Sequence, residues 1–182
     1  VTNYVLENLS QRLEIPLPQP LPAGGTVTIT MSYGLILPQM QAYSNPNEIR
    51  PQIYGYSERQ LNLVDWYPFV VPYVNGEWVL HNPWYYGEHL VYDTADFDVT
   101  VAFTDGSTPQ IAASGAEVNS GVAGNRRFTL EAGRTFALSI STLFKVATRR
   151  VGDVTVYSYY FAFYDAPGEA MLQTTVEAMQ VY

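Results

Sequence analysis

Polar and apolar residues alternate without a break from Thr26 to Tyr33, placing Val27, Ile29, Met31 and Tyr33 on one face. This is the clearest strand signal in the chain. The same two-residue period recurs from Asp96 to Phe103, aligning Phe97, Val99, Val101 and Phe103, and Asp105-Gly106 closes it as a turn. Shorter runs predict strands over Arg12 to Leu17, Gln52 to Tyr56, Ile111 to Val118 and Arg127 to Glu131. The first of these is stopped by Pro18, Pro20 and Pro22, and Gly24-Gly25 follows as a turn. Gly-rich Asn119 to Asn125 reads as a hairpin tip and Ala132-Gly133 as another turn. Two long strands, opening at Phe136-Leu138-Ile140 and at Val154-Val156, are expected to join as a hairpin around Arg149 to Asp153. The second carries Tyr157, Tyr159, Phe161 and Phe163, aromatics dense enough to expect burial on both faces, or burial on one and a partner on the other.

The period then changes. Asp165-Ala166-Pro167 is a helix start, with an acidic residue near the cap and proline in the first turn. Met171, Leu172, Thr175, Val176, Ala178, Met179 and Tyr182 follow at spacings of three and four, on one helical face. The helix reaches Tyr182 with no Gly, Asn or basic residue to end it, so a continuation is expected. Similarly, the opening residue Val1 leads us to expect that earlier residues were removed. The predicted fold class is all-β, an antiparallel β-sandwich or saddle-like sheet with one C-terminal helix. Residues 1–165 would form the β domain and 166–182 the start of a helix leading onward.

Composition reinforces the strands. Hydrophobic residues make up 47% and charged residues only 14%, with Tyr alone occurring 15 times, a bias toward pleated, half-buried surfaces. The net charge of −8 argues against a phosphate-binding face, and the paired Arg126-Arg127 and Arg149-Arg150 are too few for one, so no nucleic-acid partner is expected. The absence of cysteine excludes disulfides and thiolate metal sites. No apolar run approaches the roughly 18 to 20 residues that span a bilayer as a helix.

Candidate chemistry is sparse. His81 and His89 stand eight residues apart in an aromatic, Pro-containing segment, not one helical turn apart with an intervening Glu, as a zinc hydrolase helix requires. No catalytic residue and no metal ligand is assigned. Ala113-Ser114-Gly115 lacks the frame of a nucleophile elbow, and Gly121 to Gly124 lacks the lysine of a phosphate loop. Asp93, Asp96 and Asp98, with Asp105 nearby, admit a calcium site, but alternating acids on the wet face of a strand explain them more simply. Trp66, Trp78 and Trp84 lie close together in sequence and suit a sugar-stacking platform; anchoring of a long segment against a sheet is the commoner use of such residues. A carbohydrate-binding or cell-surface β-sandwich module using these tryptophans is therefore the alternative reading.

Four segments, taken in order, carry a resemblance. Leu13-Glu14-Ile15-Pro16-Leu17-Pro18, with Pro20-Leu21-Pro22-Ala23-Gly24 and the Thr26 to Tyr33 run, is the first. Asp65-Trp66-Tyr67-Pro68, backed by Pro72-Tyr73 and Trp78, is the second. Ala95-Asp96-Phe97-Asp98-Val99-Thr100-Val101, followed by Ile111-Ala112-Ala113-Ser114-Gly115, is the third. Arg134-Thr135-Phe136-Ala137-Leu138-Ser139-Ile140-Ser141, with Tyr164 to Tyr182 behind it, is the fourth. Together they resemble the N-terminal β-domain of the gluzincin zinc aminopeptidases, the group that includes membrane alanyl aminopeptidase, running into the first helix of the catalytic domain. The resemblance implies a non-catalytic domain that scaffolds and caps the active-site cleft of a metallopeptidase, a hydrolase of N-terminal residues. Zinc would sit in a downstream catalytic domain of the same chain, with a peptide as the parent's substrate and no cofactor in this fragment. It also implies that a Gln or Glu before the Trp-Tyr-Pro segment holds the substrate's amino group, for which Glu58 and Gln60 are the available side chains. The early strands of that domain are not found here, which leads us to expect an unpaired sheet edge and self-association through it. The compartment is left open, an extracytoplasmic or membrane-associated parent being compatible with the family.

Overall fold

A computed structural model describes residues 5–7, 12–40, 54–80 and 93–182. The chain divides into two compact units, Val1–Leu35 and Ile36–Tyr182. In the first, β1 (Val5–Glu7) and β2 (Arg12–Glu14) pair antiparallel with Leu6 opposite Leu13. The strand predicted to reach Leu17 ends at Glu14, two residues before Pro16, which has no N–H to give a neighbour. The alternating run from Thr26 to Tyr33 forms no strand at all, and Val27, Ile29, Met31 and Tyr33 remain between 43% and 48% exposed. Alternation is a property of one segment, whereas a strand requires a second backbone to take its N–H and C=O groups. Among the described residues none pairs with it.

Among its described residues the second unit carries eleven strands and the helix. Gly55–Tyr56 (β3), Leu61–Leu63 (β4), Tyr73–Val74 (β5) and Glu77–Trp78 (β6) come first. Ala95–Val101 (β7), Gln110–Ala113 (β8), Ala116–Val118 (β9), Arg126–Gly133 (β10) and Leu138–Ser141 (β11) follow. Phe144–Val151 (β12), Val154–Phe161 (β13) and the helix α1 (Asp165–Val181) complete it. One sheet runs β3-β4-β11-β8 and another β7-β10-β9, every pair antiparallel. Ile111, Leu138 and Ile140 of the first sheet and Phe128 of the second bury into one core with Phe136, flanked by Leu61, Leu63, Phe97, Val99 and Val101. The unit is thus an all-β arrangement of antiparallel sheets with one C-terminal helix.

Three sequence expectations are revised by local geometry. The strand predicted over Ile111 to Val118 breaks at Gly115, whose missing side chain lets the backbone approach Thr129 O and the Phe136 ring, so its halves join different sheets. Ala132-Gly133 is not a turn but a register irregularity inside β10, with Ala132 at φ 49° and its N–H donated to Asp96 Oδ1 at 2.8 Å. The long strand expected from Phe136 is interrupted at Thr142-Leu143, and Ser141 Oγ there accepts from the Leu143 N–H at 2.9 Å. The hairpin beyond it forms where expected. Gly152 at φ 57° makes its two-residue turn, and β12 and β13 pair from Phe144↔Phe161 to Val151↔Val154.

The helix lies on one face of that hairpin. Gly168, Leu172 and Val176, four residues apart, are its buried stripe, so the broader predicted face is used only along one side and Met171 stays 68% exposed. Asp165 does not cap the helix; its carboxylate receives Lys145 Nζ of β12 at 2.8 Å instead. Arg149 donates to Gln173 Oε1 at 2.6 Å, and buried Ser158 Oγ donates to Gly168 O at 2.9 Å. A Cβ on Gly168 would overlap the Tyr160 ring. Helix propensity alone favours Gly168→Ala by up to ~1 kcal/mol, but overpacking against a ring held in a strand costs about 1–3 kcal/mol. The second effect wins. Chemical denaturation of G168A is expected to show net destabilisation, and a gain in stability would mean that the helix does not sit on Tyr160.

Candidate functional site

The two side chains that the resemblance offers for substrate binding fall on one tight turn. Glu58 and Gln60 lie between β3 and β4, where the Ser57 N–H donates to Gln60 O at 2.8 Å. Ser57 Oγ accepts from the N–H groups of Arg59 and Gln60, each at 3.2 Å. The tip is also fixed from outside. Buried Ser141 Oγ donates to Arg59 O, and the Arg59 guanidinium lies 4.6 Å over the Phe163 ring. The turn therefore presents Glu58 to solvent from a rigid base, with Gln60 half-buried beneath it. An exposed carboxylate so held can accept hydrogen bonds from an ammonium group.

The two described tryptophans, Trp66 and Trp78, have different surroundings. Trp66 packs against the core, and its Nε1–H donates to Phe136 O at 3.2 Å. The neighbouring Tyr67 hydroxyl accepts from the Phe136 N–H at 2.9 Å, and burial pushes its phenol above the ordinary value. Rings then run edge to face from Trp66 to Tyr67 and on to Phe97, with centroids 5.4 and 5.5 Å apart. Trp78 stands apart on the β5–β6 hairpin, 54% exposed against Tyr73 at a centroid distance of 4.9 Å. That hairpin turns on Asn75 and Gly76, both at positive φ, a pairing suited to a two-residue turn. Trp84 and both histidines lie outside the described residues.

The acidic alternation on β7 has structural partners. Asp98 takes a bidentate pair from Arg127, with Nε 2.7 Å from Oδ1, and Asp96 supports the β10 irregularity through Ala132. Among the described residues no three His, Cys, Asp or Glu side chains are grouped to hold a metal ion. A shallow depression of about 320 Å³ lies on the four-stranded sheet, over Asn62, Val64, Ala112, Ser114, Ala137 and Ser139. Its lining carries no charge, and Ser139 Oγ is already donating to Asn62 Oδ1 at 2.7 Å. It offers no acid, base or nucleophile with an activating partner. Among the described residues no helix is long and apolar enough to cross a membrane. Compared with known proteins, the chain matches no family model, no curated protein and no solved structure.

A second bidentate ion pair links β9 and β10, and the sequence pattern gives no sign of it. Arg126 of β10 reaches across to Glu117 of β9, with Nη2 2.8 Å from Oε2, and also donates to Pro109 O at 3.2 Å. The signal was present only in the register that sets these strands side by side. Hydrogen bonding from Arg126, aided by its charge, holds the Glu117 carboxyl below its ordinary value of 4.5. A depressed folded-state value means that the pair stabilises the fold above the ordinary glutamate range and ceases to do so as the pH falls through the lower, folded-state value. Both side chains are partly solvated, so the effect stays within about 1 kcal/mol. Glu117→Gln is expected to lower stability slightly at neutral pH and to match the parent chain in acid. An unchanged difference across the whole range would remove the pair from the stability balance.

Proposed function

We propose that the chain is the non-catalytic N-terminal domain of a zinc-dependent aminopeptidase, bracing and capping the cleft of a catalytic domain that follows it. One observation carries this reading. The later segments of the resemblance meet in a single core: Trp66 and Tyr67 bind both backbone groups of Phe136, Phe97 packs beside them, and Ile111 pairs with Ile140. The residues that carry the later segments of the resemblance thus include ones that pack and brace, as a supporting domain requires. The described side chains do not fit zinc, since no group of three or more ligating residues forms among them and Asp96 and Asp98 are already occupied. On this reading the metal, the activated water and the general base come from the following domain, and no step of hydrolysis runs through this one. What this domain contributes to substrate is the Ser57–Gln60 turn, with Glu58 or Gln60 accepting from the peptide's terminal ammonium.

The test begins with the uninterrupted reading frame. It is expected to encode an H-E-x-x-H helix and a later Glu beyond Tyr182, and its product to bind one zinc and release N-terminal residues from peptides. In that protein Glu58→Ala or Gln60→Ala should raise KM about tenfold or more, as loss of a charge-assisted hydrogen bond implies, with zinc content unchanged. The isolated 182-residue chain should retain no stoichiometric zinc and turn over no aminoacyl reporter. Turnover by that chain, or a frame without the zinc helix, overturns the proposal.

A further inference from the structure

The segment from Thr26 to Tyr33 has the pattern of a strand and none of the pairing. Among the described residues its backbone makes no strand ladder, and its four apolar side chains are exposed. Several paired edges elsewhere carry a guard. Edge strand β7 carries Asp96 and Asp98, β9 is three residues long with Glu117 at its centre, and β3 has two residues. Around Thr26 to Tyr33 there is no such guard, for no Asp, Glu, Lys or Arg stands between Glu14 and Glu48. An uncharged, alternating segment lacks the charges that keep exposed strands apart.

The order of its residues also fits one occupant. We propose that this segment pairs antiparallel with the same segment of a second copy of the chain, about a two-fold axis through Thr30. Such pairing is isologous: each copy offers the other the same surface. It sets Val27 against the partner's Tyr33 and Ile29 against the partner's Met31 on one face. Thr28 meets the partner's Ser32 on the other, beside the two Thr30 residues. All four exposed apolar side chains gain a cross-strand neighbour of their own kind, and hydroxyl residues face hydroxyl residues. No charge within either segment meets a like charge across the axis. A charged partner would find nothing here to complement, whereas an identical segment is matched position by position. The chain's net charge of −8 opposes approach of two copies at long range, so the dimer strengthens as salt screens it.

Sedimentation of the purified chain over a range of concentrations tests this directly. A monomer–dimer equilibrium favoured by salt is expected, and Ile29→Lys should weaken it about tenfold or more by placing an ammonium within the paired apolar face. Because the chain has no cysteine, a second variant reads the axis itself. Thr30→Cys should cross-link into a disulfide dimer under mild oxidation, and Ala123→Cys, on the exposed loop before β10, should do so far more slowly. A monomer at every concentration overturns the proposal. So does a dimer that ignores I29K, or a T30C chain that cross-links no faster than A123C.

Discussion

Two hydrogen bonds to a single residue join parts of the larger unit that lie far apart in sequence. Trp66 and Tyr67 sit in a loop after β4, about seventy positions before Phe136, yet one donates to the Phe136 carbonyl and the other accepts from its N–H. Phe136 precedes β11, the strand on which β4 and β8 both pair, and its ring is among the most deeply buried in the chain. A buried backbone with neither group satisfied would cost on the order of 1–3 kcal/mol for each. With both satisfied by aromatic side chains, polar pairing and ring packing are the same contact. The apolar core can then close over the start of β11 without orphaning its backbone.

The elements legible in sequence were those whose period and terminators agreed. The strand through Phe97, Val99 and Val101, the Val151-Gly152-Asp153-Val154 hairpin and the Asp165 helix start all appear near their expected limits. The misreadings have a common cause, which is that periodicity reports which side faces a core and not which backbone lies alongside. Thr26 to Tyr33 had the strongest pattern and, among the described residues, no pairing strand. Gly115 looked like one residue within a strand and proved to be the point where the chain changes sheets. Similarly, the helix sequence offers a wide apolar face, but the close fit of Gly168 to Tyr160 goes with a buried contact along a narrow line.

Less of the candidate site could be read. That Glu58 and Gln60 share a turn follows from their spacing, but the supports of that turn, Ser141 and Phe163, are remote in sequence and carry no local signal. The Trp66-Tyr67 pair was visible as an aromatic anchor, and the structure gives it that use. The Arg126–Glu117 pair was invisible because charge pairing across strands depends on register, which single-sequence pattern leaves open.

The break at Thr142-Leu143 makes the remainder of the chain a ββα arrangement built from neighbours in sequence. Its linking contacts span short loops, as from Ser158 to Gly168 or Lys145 to Asp165. Those of the core join Asn62 to Ser139 and Arg59 to Ser141 across most of the unit. Loop-closure entropy rises with the length of chain enclosed, and non-local pairings give no return until that loss has been met. Placing the interruption where it falls leaves a locally closed tail beside a topologically remote core, so the two halves of the unit face different entropic obstacles in reaching the same native state.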